Sequence, residues 1–402
     1  MRAGQRLRHL LERGPVGLHR GRLRAVQATV EGLVRGGRLT LTALGRALAA
    51  AFGAIEKHAI KRVDRLLGNR LLWQERLAYF AAIAYAVVGN AQRIVILVDW
   101  TQVCGDLHAL VASIPMAGRS VAIYFEVHPK SVVGNRHIHF QFLEQLAKVV
   151  PLAREVVIVA DAGFQAHWFR KVRQMGWHYV GRLARFIRVR SQSPIWRRAD
   201  SLWPFARRRQ VIDLGWHDAV ESRHMPMRLV LYKSARKRRK GSPQKNRVGV
   251  HPSMLSYKKC QARNRQPWLL ATSLAGDASD VAALYASRMQ CEECFRDYKS
   301  HQFGFSLEDV RTDSVRRMTV LLLIATLAHL LALAAGIAAE HLRIAPAFQA
   351  NTTRNRRVLS VVFLGRRVLA DSLASRAVGR RLIDYLMDPR GIGFLSEPSP
   401  LP

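Results

Sequence analysis

"RIVILVDW", residues 93–100, is where the hydrophobic period of the chain changes. Before it, apolar residues recur at helical spacing. Here they run unbroken up to Asp99, as in a strand buried on both faces and closed by an acidic residue. "HALVASIP" (108–115) and "SVAIYFEV" (120–127) follow, joined by the turn-like "MAGR" as a hairpin. Next come an amphipathic helix, "FQFLEQLAKVV" (140–150), and a second buried strand, "EVVIVAD" (155–161). "FQAHWFRKVRQMG" (164–176) is helical and "WHYVGRL" (177–183) is a further strand. Three strands, helix, strand, helix and strand predict an α/β fold, a mixed sheet flanked by helices.

Working outward, residues 1–90 are helical and basic, with Arg46, Lys57, Lys61, Arg62 and Arg65 on the polar positions of the longest periodic stretch. Either a small DNA-binding domain or a solvated helical face fits that pattern. Residues 91–184 form the first part of the sheet domain. Residues 185–265 break its rhythm with short alternating stretches and the cationic run "KSARKRRKGSPQKNR" (233–247), which reads as a β-rich insertion with a basic loop. The core resumes over 266–340, and 341–402 is helical and basic without an assignable motif.

The charge sets the partner class. Lys and Arg number 64 against 28 Asp and Glu, a net +36, which points to a polyanion, and nucleic acid is the commonest one. Four cysteines (Cys104, Cys260, Cys291, Cys294) are too few for a disulfide framework and suit a reducing cytoplasm. The start, "MRAGQRLRHLLERG", has no apolar signal core. "MTVLLLIATLAHLLALAAGIAA" (318–339) is long enough to cross a bilayer, but it contains His329 and follows a polar helix. A buried core helix is expected there, and no membrane partner.

Two buried strands end in aspartate, Asp99 and Asp161. An acidic group at the end of an apolar strand is costly unless a cation or hydrogen bonds satisfy it. Alone, each also fits a turn or helix start; together on neighbouring strands they suggest hard oxygen ligands for Mg²⁺ or Mn²⁺. A third ligand is offered by "YASRMQCEECFRDYK" (285–299). A helix turns about 100° per residue, so Tyr285, Arg288, Glu292 and Lys299 share one face and Glu293 is excluded from it. The bland alternative is that Glu292 pairs with Arg288 and Arg296 as ordinary helix decoration. "CEEC" (291–294) lacks a second Cys/His pair and is expected to be core rather than zinc-binding.

Tyr285, two residues, Arg288, three residues, Glu292, six residues, Lys299: this spacing resembles in full the YREK signature of the insertion-sequence family four transposases. That family is a branch of the DDE transposases, with a ribonuclease-H-like core and a β-rich insertion between the second Asp and the Glu. The resemblance spans about residues 55 to 340. It implies Asp99, Asp161 and Glu292 as catalytic ligands of two divalent metal ions, Mg²⁺ or Mn²⁺. It further implies Tyr285, Arg288 and Lys299 as binders of DNA phosphates. Trp268, opening "WLLATSL" (268–274), stands where relatives stack a flipped base, although its gap to the tyrosine is shorter; a core aromatic at a strand start fits it equally. The implied activity is cleavage at transposon ends followed by strand transfer into target DNA, by a cytoplasmic enzyme that is dimeric on its double-stranded DNA. A nuclease that joins nothing, and an inactive DNA-binding descendant, are the rival readings.

Overall fold

The computed structural model describes residues 3–12, 14, 17–89, 91–151, 155–222, 224–234, 266–350, 352 and 357–379. Most of the cationic run from 233 to 247, together with Cys260, lies outside them. The described residues form two compact units, one of residues up to 156 together with those from 288 onward, the other of residues 157–287.

The first unit opens with six helices: α1 (Ala3–Glu12), α2 (Arg20–Val34), α3 (Leu41–Phe52), α4 (Glu56–Leu67), α5 (Arg70–Gln74) and α6 (Arg76–Val88). Gly53 ends α3 in the left-handed conformation (φ 64°, ψ 34°), which a residue with a Cβ adopts at a cost. Only Gly53–Ile55 separate α3 from α4, and the two helices pack on each other as a tight helical corner. Lys57, His58, Lys61, Arg62 and Arg65 are exposed on α4 while Ala59, Val63, Leu66 and Leu67 are buried, so its outer face is cationic.

A three-stranded antiparallel meander follows: β1 (Arg93–Cys104), β2 (Leu107–Met116) and β3 (Arg119–Pro129). The expected hairpin closes with Met116 opposite Arg119, and both turn residues, Ala117 and Gly118, have positive φ, as a two-residue hairpin turn demands. One expectation is corrected here. β1 does not end at Asp99 but runs five residues further, through Trp100, Thr101 and Val103, whose branched and aromatic side chains favour extended backbone. Asp99 therefore sits mid-strand, opposite Val111. α7 (Arg136–Val149) is capped by the Asn135 side chain, which accepts from the backbone N–H groups of His137 and Ile138.

The unit's core is α11 (Val315–His341), in which every residue from Met318 to Ala339 is buried. Among the described residues it is the one helix whose length and apolar character would suffice to cross a membrane, and its apolar window is wholly buried inside the protein. It packs against α2, α4, β3 and α12 (Val361–Ala370), which is followed by α13 (Ser372–Ala377). The crossing with α12 depends on two glycines. A Cβ on Gly365 would lie 1.7 Å from the Ala332 carbonyl oxygen, and one on Gly336 would lie 1.8 Å from that of Val361. Gly365→Val is accordingly expected to cost about 3 kcal/mol in urea denaturation by overpacking. Gly17→Ala, where a Cβ meets nothing within 4 Å, should change stability by less than about 0.5 kcal/mol.

In the second unit β4 (Glu155–Ala160) runs parallel to β5 (His178–Arg182), with α8 (Ala166–Gln174) between them in the chain. β5 pairs antiparallel with β10 (Trp268–Thr272), β10 with β9 (Met225–Tyr232), and β9 with β8 (Val211–Ala219). Short β6 (Arg188–Arg190) and β7 (Arg197–Arg198) complete this sheet. Within the stretch expected to be β-rich, the described residues carry β6 to β9, and β9 joins β5 through β10. α9 (Ala278–Ala286) packs on β8, β9 and β5. Buried Arg228 fixes the loop before α9: its guanidinium donates to the Leu274 and Gly276 carbonyls and to the Asp213 carboxylate. The same guanidinium holds the Asp213 carboxyl below the usual carboxylate range.

Candidate active site

The stretch 285–299 is not one continuous helix, as the sequence suggested. α9 stops at Ala286 and α10 (Met289–Lys299) begins after Ser287–Arg288. The Ser287 hydroxyl donates to the Leu284 carbonyl at 2.6 Å. The Cys291 N–H returns only three residues, to the Arg288 carbonyl at 3.0 Å. Tyr285 thus belongs to the second unit, while Arg288, Glu292 and Lys299 belong to the first.

α10 is fixed to the meander by its own buried side. Cys291, Cys294, Phe295 and Tyr298 are buried at helical spacing. Burial pushes the Cys294 thiol up to about 12 and raises that of Cys291 as well, so both are protonated core groups at neutral pH. Asp297, 7 % exposed, accepts from Arg119 of β3 at 2.8 Å. The Gln290 side-chain oxygen accepts from the Met116 N–H at 3.1 Å.

This docking lays the other side of α10 along β1. Asp99 and Thr101 are two residues apart on the strand and therefore share a face. Arg288 Nη1 donates to Asp99 Oδ2 at 2.8 Å, and its Nη2 donates to Glu292 Oε1 at 2.5 Å. Lys299 Nζ donates to Thr101 Oγ1 at 2.7 Å. Arg288 and Asp99 are largely buried (14 % and 16 % exposed), whereas Glu292 is 43 % exposed and opens the site to solvent. On the opposite face of β1, Trp100 Nε1 donates to His139 of α7 at 3.0 Å. Arg296 pairs with Glu293 rather than with Glu292.

Two of the three expected carboxylates, distant in sequence, thus meet at one guanidinium. Arg288, expected to hold phosphate, bridges them. Thr101 is the residue that sequence reasoning missed, although strand alternation from Asp99 points to it. In the second unit Asp161 directly follows β4, and its Oδ1 accepts the Gly163 N–H at 2.7 Å, a turn preceding α8. Trp268, half-buried, packs edge-on against Tyr285 (ring centroids 5.0 Å apart) and tilted against Tyr232 (5.4 Å). Tyr285 itself is buried.

Among the described residues, no three His, Cys, Asp or Glu side chains are gathered as a metal site. The donor chemistry at Asp99 and Glu292 nevertheless suits a divalent ion: hard carboxylate oxygens from two elements converge on a single cation, and that cation is now the guanidinium.

The two carboxylates and their guanidinium lie between the meander and the helix docked on it. A family model described as the transposase DDE domain matches residues 91–331, well over half of the chain, and the chain belongs to that family. It is therefore a transposase, and its family generally uses divalent metal ions and acts on DNA. A search of curated proteins finds no matching relative.

Proposed function

We propose that this chain cuts DNA at transposon ends and joins the freed ends to target DNA, as a member of the insertion-sequence family four type with its YREK signature. The observation carrying this reading is the convergence of Asp99 and Glu292 on Arg288, with Lys299 on the same helix face. Asp161 completes the set of ligands for two Mg²⁺ or Mn²⁺ ions. When bound, such ions activate the attacking oxygen and stabilise the leaving one. The fold reading is ribonuclease-H-like, supported by the antiparallel meander of one unit and the parallel β4–β5 pair of the other.

The chain's own residues position the substrate. Lys299, steadied by Thr101, presents an ammonium to a phosphate oxygen, and Arg288 has the planar fork that binds two such oxygens at once. Tyr285 supports the Trp268 ring, on which an unpaired base stacks. Water attacks first and releases a 3′-hydroxyl, which then attacks the target strand. The cationic outer face of α4 lies against the end duplex, and two copies act on a pair of ends.

The test is incubation of the full chain with DNA from its own genomic flanks and Mn²⁺, with every end produced mapped and target DNA supplied. Breaks at the element's boundaries with joined products are expected. Breaks without joining would leave a nuclease, and no breaks would defeat the reading.

A further inference from the structure

Four arginines of the second unit pair with a carboxylate. Arg188 pairs with Glu221, Arg190 with Asp218, Arg198 with Asp200 and Arg228 with Asp213. Arg207, Arg208 and Arg209 are exposed and have no carboxylate partner among the described residues, as is also true of Arg185 and Arg197. A chain of net charge +36 has many exposed arginines, so exposure alone decides nothing.

Their placement is what separates them. Val211, Tyr232 and Trp268 lie in one row across β8, β9 and β10. Just before that row, Arg208 bridges to Lys233, and the Arg209 N–H donates to the Lys233 carbonyl at 2.8 Å. The arginine run is thereby tied to the residue next to Tyr232, whose ring packs on Trp268. Arg209 acts electrostatically on the Tyr232 phenol. Its backbone is left-handed (φ 60°), a conformation a non-glycine residue adopts at a cost and keeps where its surroundings impose it. Cations that track a backbone beside an aromatic ring that takes a base are the chemistry of single-strand binding.

We propose that Arg207, Arg208 and Arg209 form a phosphate track for a DNA strand whose unpaired base stacks on Trp268. This rests on the reading above that DNA is the substrate, and it assigns to that strand a second set of contacts apart from the carboxylate site.

The experiment measures binding of the full chain, without divalent metal, by fluorescence anisotropy on two DNAs of equal sequence. One is fully paired and the other ends in three unpaired nucleotides. For R207Q/R208Q/R209Q the expected result is about a tenfold or greater loss on the unpaired-end DNA and less than about a threefold loss on the paired one. The salt slope on the unpaired-end DNA should fall by about 2, from roughly 0.7 per single-strand phosphate contact. Equal losses on both DNAs would mark a general basic surface and overturn the proposal, as would no loss on either. Because cleavage is read separately, an enzyme that cuts and joins correctly yet shows equal losses would defeat the track while leaving the transposition reading intact.

Discussion

Asp99→Asn and Glu292→Gln are each expected to lower DNA cleavage by on the order of 10³-fold or more, the scale on which single members of a catalytic unit act, while DNA affinity changes little. Each substitution keeps the shape of the side chain and removes its charge. Asp99 is largely buried in the middle of β1, and its amide analogue can still accept from Arg288, so the fold is expected to survive. The lost function is the ability to hold a divalent cation. Asp161→Asn should match these two, although that residue belongs to the other unit. The check compares single-turnover cleavage in Mn²⁺ with anisotropy on the same DNA. Normal cutting by any one variant removes that residue from the site, and an equal loss of binding makes the carboxylates structural.

Arg288→Ala is expected to destabilise the metal-free protein by about 2–3 kcal/mol, towards the lower end of what breaking a buried ion pair costs because Glu292 is 43 % exposed. The substitution leaves Asp99 and Glu292 facing each other without their shared cation. A divalent ion should then take the vacated role, so Mn²⁺ at about a hundredfold over its dissociation constant would return roughly 2.7 kcal/mol. The measurement is a thermal unfolding series with and without Mn²⁺. A larger Mn²⁺ shift for Arg288→Ala than for the native chain is the expected pattern. Equal shifts would mean that Arg288 and the ion do not compete for the same oxygens.

Strand positions were legible because apolar runs such as 94–98 and 156–160 have no helical reading that leaves a polar face. The hairpin at Ala117–Gly118 was legible from its turn residues, and the buried α11 from its unbroken apolar length. Three features were not. The apolar run stops at Asp99, but β1 continues because hydrogen-bonded pairing with β2 supports it to Cys104. The break in the helix at Ser287–Arg288, where the Ser287 hydroxyl takes the Leu284 carbonyl, is a local competition that residue spacing does not reveal. The face shared by Arg288, Glu292 and Lys299 was visible from their offsets, whereas Arg288 spending its donors on Asp99 required the strand and helix to be brought together. The helical corner of α3 and α4 has a signal in Gly53, and the polar positions of Lys57, Lys61, Arg62 and Arg65 mark the cationic face of α4.

Whether Asp99, Asp161 and Glu292 share metal ions can be read from the backbone itself. Fe²⁺ substituted for the native ion, with ascorbate and peroxide, generates hydroxyl radicals that cut the chain beside its ligands, and the fragments can be mapped by mass spectrometry. Cuts clustered near residues 99, 161 and 292, all lost together in Asp161→Asn, are the expected result. Cuts near 99 and 292 that persist in that variant, with none near 161, would contradict a three-carboxylate site.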